Sequence, residues 1–401
     1  MSNIKGDFPL FKKNPKLIYL DNAATTQKPY AMLDALTEYY IEFNSNVGRG
    51  VYQLAQLSED AYESSRKTLA KFLGCSNKNI VYTSGCTESL SLAAHISQQY
   101  IKEGKKYIIL PISEHHANVL IWQDIAEKNN LELYWVSDAD LILNPNNIDE
   151  EILKKTAIMA IAHVSNVTGE IYPVEKWCNL AKVIDAISIV DGAQAITSLK
   201  INIHEIGCDF YALSAHKLYG PMGLGVLYIN NKYLNSSPLK LGGGIIEDVE
   251  QQSHSLLDGN NRFEAGTPNV ANAYAFSKTI EFLNENNWID LLNHTHELGK
   301  YLDQELINIG IHPLSVSNKL SKTHISSFLI PGIHSHDVGT YLAQKNIAVR
   351  VGKHCTYPLH KHLKVNSSIR ASIGIYNTKA DIDVLIGSIK DCINYFNKDT
   401  K

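Results

Sequence analysis

Seven short, almost uninterrupted apolar runs recur between residues 80 and 229: IVYTS (80–84), YIIL (107–110), LELYWV (131–136), AIMAIAHV (157–164), ISIVD (187–191), DFYALS (209–214) and GVLYI (225–229). A strand with one face in water alternates apolar and polar residues, whereas a strand covered on both faces does not. Runs of this kind, bounded by turn residues and separated by stretches of helical periodicity, predict an α/β fold around a mostly parallel central sheet. SEDAYESSRKTLAKFL places acidic residues in a first turn behind Ser58, which reads as the cap of that helix. Pro29 stands where a first helical turn tolerates proline.

Beyond about residue 280 the pattern changes. The amphipathic stretch NWIDLLNHTHELGKYLDQELI leads to strands near HISSFLI, NIAVRV and IRASIGIY, then to a last helix from Thr378, where T-K-A-D forms a capping box. At 401 residues the chain is longer than one core usually supports. The expectation is a large domain over 17–280 and a smaller α+β C-terminal domain over 281–401, joined by the N-terminal segment 1–16. A formal charge of -4 argues against nucleic acid or an anionic membrane as partner. The N-terminus lacks a secretory apolar core and no later run approaches a membrane span, so a cytoplasmic location is expected. Six cysteines without a C-x-x-C pair suggest neither a disulfide framework nor a metal site, and most read as small buried hydrophobes.

Chemistry concentrates at the ends of the predicted strands. SAHKLYGPMGLG holds Lys217 at a strand-to-loop junction, a place for an amine that forms a Schiff base. Asp191 closes the strand ISIVD, at the carboxyl edge where α/β sheets bind ligands. TSGCTES (83–89) opens a helix whose free amides and hydroxyls suit a phosphate, without the spacing of a P-loop or a dinucleotide fingerprint. EHHAN (114–118) follows another strand. Phosphate donors, a carboxylate, a lysine and a flat ring together match what pyridoxal 5'-phosphate demands: the lysine tethers it and the carboxylate keeps its pyridine nitrogen protonated.

The stretches YLDNAATTQKP, EHHAN, HVSNVTG, VDGAQA, CDFYALSAHKLYGPMG, RFEAGTPN, IAVRVGKHC and IRASIGIYNT run in order from residue 19 to 378. On these the chain resembles the group II cysteine desulfurases of the class V aminotransferase family, which are fold-type I PLP-dependent transferases. The resemblance implies that Lys217 carries the cofactor, Asp191 pairs with its ring nitrogen, Gln194 meets its ring hydroxyl and His115 stacks on it as a second proton carrier. Thr87, Ser214 and His216 would bind phosphate, with Cys86 where relatives commonly carry a further threonine. Thr267 would reach the neighbour's phosphate across a homodimer, and Arg49 would serve the other subunit's site. Arg370 and Asn166 would hold the substrate carboxylate.

Cys355, in RVGKHCTYP, would attack the sulfur of bound L-cysteine, leaving an enzyme persulfide and L-alanine. Lys353 and His354 would favour its thiolate if they point toward it. The sulfur would pass to an acceptor protein and on to iron–sulfur cluster assembly. Selenocysteine lyase, or a mixed activity, is the alternative within the same fold. Lys353, Gly48 and Tyr52 stand where histidines are often found in the family.

Overall fold

The computed structural model describes residues 4–48 and 50–398. Each of the seven apolar runs forms a strand: β1 Ile80–Thr83, β2 Tyr107–Pro111, β3 Glu132–Val136, β4 Thr156–Ala162, β5 Ile187–Asp191, β6 Phe210–Ser214 and β7 Gly225–Ile229. They build one sheet in the order β1-β7-β6-β5-β4-β2-β3. β7 is antiparallel to both neighbours and every other pairing is parallel. The absence of alternation in the sequence has its cause here. Met159 and Ile161 of β4 enter one core while Ile158 and Ala160 enter the core on the opposite face, so both faces are dry.

Helices α1 Gln53–Leu73, α2 Cys86–Gln98 and α3 Ala117–Lys128 connect or flank these strands. Ser58 is not the cap of α1, which begins five residues earlier at Gln53 behind Tyr52. Its hydroxyl is buried and donates to the Phe43 carbonyl at 2.7 Å. A tertiary contact to the returning chain has thus taken the group that would otherwise cap a helix. Pro29 immediately precedes the helix Tyr30–Glu38, as its restricted φ allows.

The second unit carries an antiparallel sheet of β8 Ile325–Phe328, β9 Arg350–Gly352 and β10 Ser368–Ser372, with β10 in the middle. Helices α4 Trp288–Asn308, α5 Ser335–Gln344 and α6 Lys379–Lys398 contribute Leu298, Leu342 and Leu385 to its separate core. The capping box at Thr378 forms reciprocally: Thr378 N–H donates to Asp381 Oδ2 at 3.0 Å, and Asp381 N–H to Thr378 Oγ1 at 3.3 Å. Ile18–Tyr19 pairs in parallel with Ile347–Ala348, so the N-terminal chain is stitched to this unit before crossing to the large sheet.

One glycine in the sheet is obligatory for the site. A Cβ on Gly225 of β7 would lie 2.4 Å from the backbone of Gly85, the residue just ahead of α2. Backbone cannot swing aside as a side chain can, so only glycine lets β7 and the start of α2 approach this closely. Among the described residues, no helix is long and apolar enough to cross a membrane.

Candidate active site

The carboxyl edge of the sheet opens into a cavity of about 350 Å³. Cys86, Thr87, His115, Asn166, Asp191, Gln194, Ser214, His216, Lys217, Cys355 and Arg370 all line it, brought from β1, β2, β4, β5, β6 and the second unit. One expected residue is elsewhere and another is not described. Thr267 lines a neighbouring cavity with Ser84, Glu88 and Lys240, and Arg49 lies outside the described residues.

Lys217 follows β6 and its amine makes no hydrogen bond or ion pair with any described residue. Burial lowers its pKa, reinforced by the charge on Arg370 and opposed by Asp191 and Cys86. The amine is therefore easier to deprotonate than an ordinary lysine, as a nucleophilic amine must be. The preceding carbonyl, that of His216, is fastened by the N-terminal strap. It accepts from Thr26 N–H at 3.2 Å, from Thr25 Oγ1 at 3.2 Å, from Thr26 Oγ1 at 3.0 Å and from Lys28 Nζ at 2.9 Å. Burial takes the Lys28 pKa down to about 7.

Asp191 is oriented from one side. Its Oδ1 accepts from Ala193 N–H at 2.9 Å and from Cys86 Sγ at 3.4 Å, leaving Oδ2 without a protein partner among the described residues. Cys86 thus adjoins the carboxylate, and its amide N–H goes to Ser214 Oγ at 2.8 Å. The N–H groups of Thr87 and Glu88, next in the first turn of α2, have no protein acceptor among the described residues. Gln194 donates to the Ala23 carbonyl at 2.8 Å.

His115 Nδ1 accepts the Ala117 N–H at 3.1 Å, so its proton sits on Nε2. Burial, followed by the charge on Lys217, lowers its pKa to about 4. It is therefore neutral above that pH. Beneath it the fully buried Glu114 takes N–H groups from Ala162 at 2.9 Å and Asn118 at 2.6 Å, and burial raises its pKa to about 8.

Arg370, on β10, is 3% exposed. One nitrogen donates to the Asn166 carbonyl at 2.8 Å and another reaches Asp21 Oδ1 at 3.5 Å, but Nε is buried without a partner. A buried, unsatisfied donor on a cation is costly in an empty protein and suits an arriving anion. Burial also lowers its pKa to about 10. Asn166 lines the cavity with its side chain engaged with the thiol loop: Nδ2 donates to the His354 carbonyl at 2.7 Å and Oδ1 accepts from Thr356 at 3.1 Å.

Cys355 is the one exposed cysteine; Cys75 is half-buried and the other four are buried. Its loop is also tied to EHHAN: His116 N–H donates to the Cys355 carbonyl at 2.8 Å, and Tyr357 N–H to His116 Nε2 at 3.2 Å. The expected cationic neighbours do not face the thiol as charges. Lys353 Nζ lies 4.6 Å from the Tyr357 ring centroid. His354 turns its Nε2 to Ser368 Oγ at 3.0 Å, and burial together with Arg370 takes its pKa down to about 2, so it is neutral. The charges within electrostatic reach of Cys355 are instead Arg350, Arg370 and Lys217. Arg350 is held by Asp21 through bonds of 3.1, 3.1 and 2.9 Å, and neither residue of this pair was legible from its local sequence as part of the site.

Comparison with known proteins places the chain in a family. The family described as Aminotransferase class-V matches residues 18–385. A protein of Halalkalibacterium halodurans named "Probable cysteine desulfurase" is 38% identical over 400 residues, covering 98% of each chain. One of the same name from Staphylococcus aureus (strain Mu50) is 38% identical over 398 residues, covering 98% of this chain and 96% of its own. Among solved structures, an apo cysteine desulfurase from Thermococcus onnurineus NA1 superposes with a TM-score of 0.92 at 34% identity, covering 98% of this chain and 97% of its own. A cysteine desulfurase from Escherichia coli in an S-sulfonic acid form gives 0.88 at 30% identity, covering 98% of both.

Proposed function

The chain belongs to the aminotransferase class-V family, and from that premise we propose that it is a pyridoxal-phosphate-dependent cysteine desulfurase, converting L-cysteine to L-alanine with a persulfide on Cys355. One observation carries this reading: an exposed thiol shares a single cavity with a deprotonatable lysine and an arginine whose buried Nε lacks an acceptor.

The residues present fit the family's cofactor. The free first-turn N–H groups of α2, with the hydroxyls of Thr87 and Ser214, would hold the phosphate. Asp191 Oδ2 would take the protonated pyridine nitrogen, kept in position by the two donors on Oδ1. His115 would lie against the ring and Gln194 near its hydroxyl. When bound, pyridoxal phosphate supplies a carbonyl that captures the amino group of cysteine and a ring that withdraws electrons from the carbon framework.

The chain's own groups do the rest. Arg370 clamps the substrate carboxylate, with Nε and the neighbouring nitrogens forming the two-pronged contact. Lys217, released from its tether, takes a proton from the substrate's α-carbon and later returns one, and neutral His115 offers a second proton carrier through Nε2–H. Cys355 Sγ, as the thiolate, bonds to the substrate sulfur as the carbon–sulfur bond breaks. The bonding pair stays with the carbon skeleton, whose β-carbon takes up a proton equivalent to the one lost from the substrate thiol, so the sulfur stays on the enzyme as a persulfide and alanine departs. Exposure of Cys355 suits handover of that sulfur to an acceptor protein serving iron–sulfur cluster assembly.

A second copy of this chain would complete the site. Val51, Tyr52, Leu54 and Leu57 are exposed around the start of α1. The adjoining cavity joins residues 46–48 to Gly243, Gly244 and Thr267. Such an apolar surface next to a polar groove is what a homodimer covers, and it would bring Thr267 and Arg49 toward the partner's cofactor.

The test is direct. Purified protein with bound cofactor should release sulfide and alanine in equal amounts from L-cysteine when a reductant discharges the persulfide. No alanine under these conditions would refute the reading. Arg370→Lys keeps a charge but loses the planar fork, so KM for cysteine should rise roughly ten- to hundredfold with a smaller change in kcat. Steady-state kinetics measure both, and an unchanged KM would remove Arg370 from carboxylate binding.

A further inference from the structure

We propose that His360 is a positioning residue for the Cys355 loop, acting through Ser368 to hold His354 as a neutral ring with its proton on Nε2. The proposal rests on the desulfurase reading for its kinetic consequence, but its structural content is independent of it.

The tautomers follow from counting hydrogens. His360 is on the short helix Tyr357–His362, and its Nδ1 lies 3.0 Å from the Thr356 carbonyl, which can only accept. Nδ1 therefore carries the proton. In the neutral ring Nε2 must then accept, and Ser368 Oγ at 3.1 Å supplies the hydrogen. Having donated it, Ser368 Oγ is left to accept, and His354 Nε2 lies 3.0 Å away. The proton of His354 is thus on Nε2, and its Nδ1, buried without a partner, keeps a free lone pair. The other acceptor near Ser368, the Gly352 carbonyl, is 3.5 Å away, and choosing it would strand the buried Nε2 of His360. His360 and Ser368 are 1% and 0% exposed, so water does not substitute for either.

The chain needs this anchor because of its backbone. His354 and Cys355 have φ of +47° and +55°, two consecutive side-chain-bearing residues in the left-handed region. Each such residue is strained and persists only where surroundings hold it. Asn166 holds the carbonyl of His354 at 2.7 Å, and the His360–Ser368 pair holds its ring. Together they fix both ends of the residue that precedes the nucleophile. With the ring neutral, the charges within electrostatic reach of the sulfur are those of Arg350, Arg370 and Lys217.

His360→Leu and His360→Gln in the cofactor-loaded enzyme test this. In His360→Leu, deuterium exchange at residues 353–357 should quicken by about tenfold or more while the central sheet is unchanged. Its kcat for cysteine should fall by about tenfold with KM within about twofold, because Arg370 is untouched. His360→Gln, whose amide oxygen still accepts from Ser368, should recover kcat to within about threefold of wild type. Wild-type exchange and turnover in His360→Leu would overturn the proposal. So would parallel loss of melting temperature and cofactor absorbance that His360→Gln fails to restore, since that marks a space-filling role alone. A wild-type enzyme inert toward cysteine would sink the desulfurase reading instead, and the exchange comparison would still decide the loop.

Discussion

Lys217→Ala is expected to reduce alanine formation from cysteine by at least about a thousandfold, since on the proposed reading one side chain would be both the cofactor's tether and the base at the α-carbon. The protein should stay folded, because the amine it loses makes no contact that any described residue depends on. Asp191 and the start of α2 should still retain cofactor, with its absorption displaced from the wild-type band. Borohydride reduction and peptide mass mapping should place the cofactor on Lys217 in the wild type and on no peptide of the variant. Turnover by the variant within tenfold of wild type would mean that another base serves. His115 is then the group to examine, as it lines the same cavity with a neutral imidazole.

Cys355→Ser is expected to cut sulfide release by roughly a hundredfold or more while cofactor absorbance and trapping at Lys217 are preserved. A hydroxyl is a poor nucleophile toward sulfur, and the serine cannot carry a persulfide. The effect is separable from cofactor loss because Cys355 reaches the cavity from the second unit, whereas the cofactor's expected contacts come mainly from β1, β5 and β6. Equal sulfide production by the variant would remove Cys355 from the chemistry. Selenide release from selenocysteine surviving in the same variant would identify a mixed activity in which the thiol is needed for sulfur alone.

The sheet was legible because its cause is local. A strand buried on both faces must be apolar at every position, and that is visible without knowing its neighbours. Strand ends were legible for the same reason, and Lys217 and Asp191 stand where β6 and β5 stop. The start of α1 was not. Ser58 has the chemistry of a cap, but Phe43, fifteen positions earlier, claims its hydroxyl from outside the helix. Around Cys355, RVGKHCTYP left open whether Lys353 and His354 face the thiol. Side-chain direction decided it: Lys353 turns to Tyr357 and His354 to Ser368, on β10.

Apolar periodicity alone therefore determined the layered α/β architecture and located the strand ends, since apolar burial and strand termination depend on neighbouring residues in the chain. Tertiary structure alone decided which groups are charged, paired or left open. The orphaned Nε of Arg370, the engagement of Asn166 with the thiol loop and the neutral His354 each arise from contacts between residues 14 to 204 positions apart, and hydrogen-bond geometry at that range leaves no trace in local sequence.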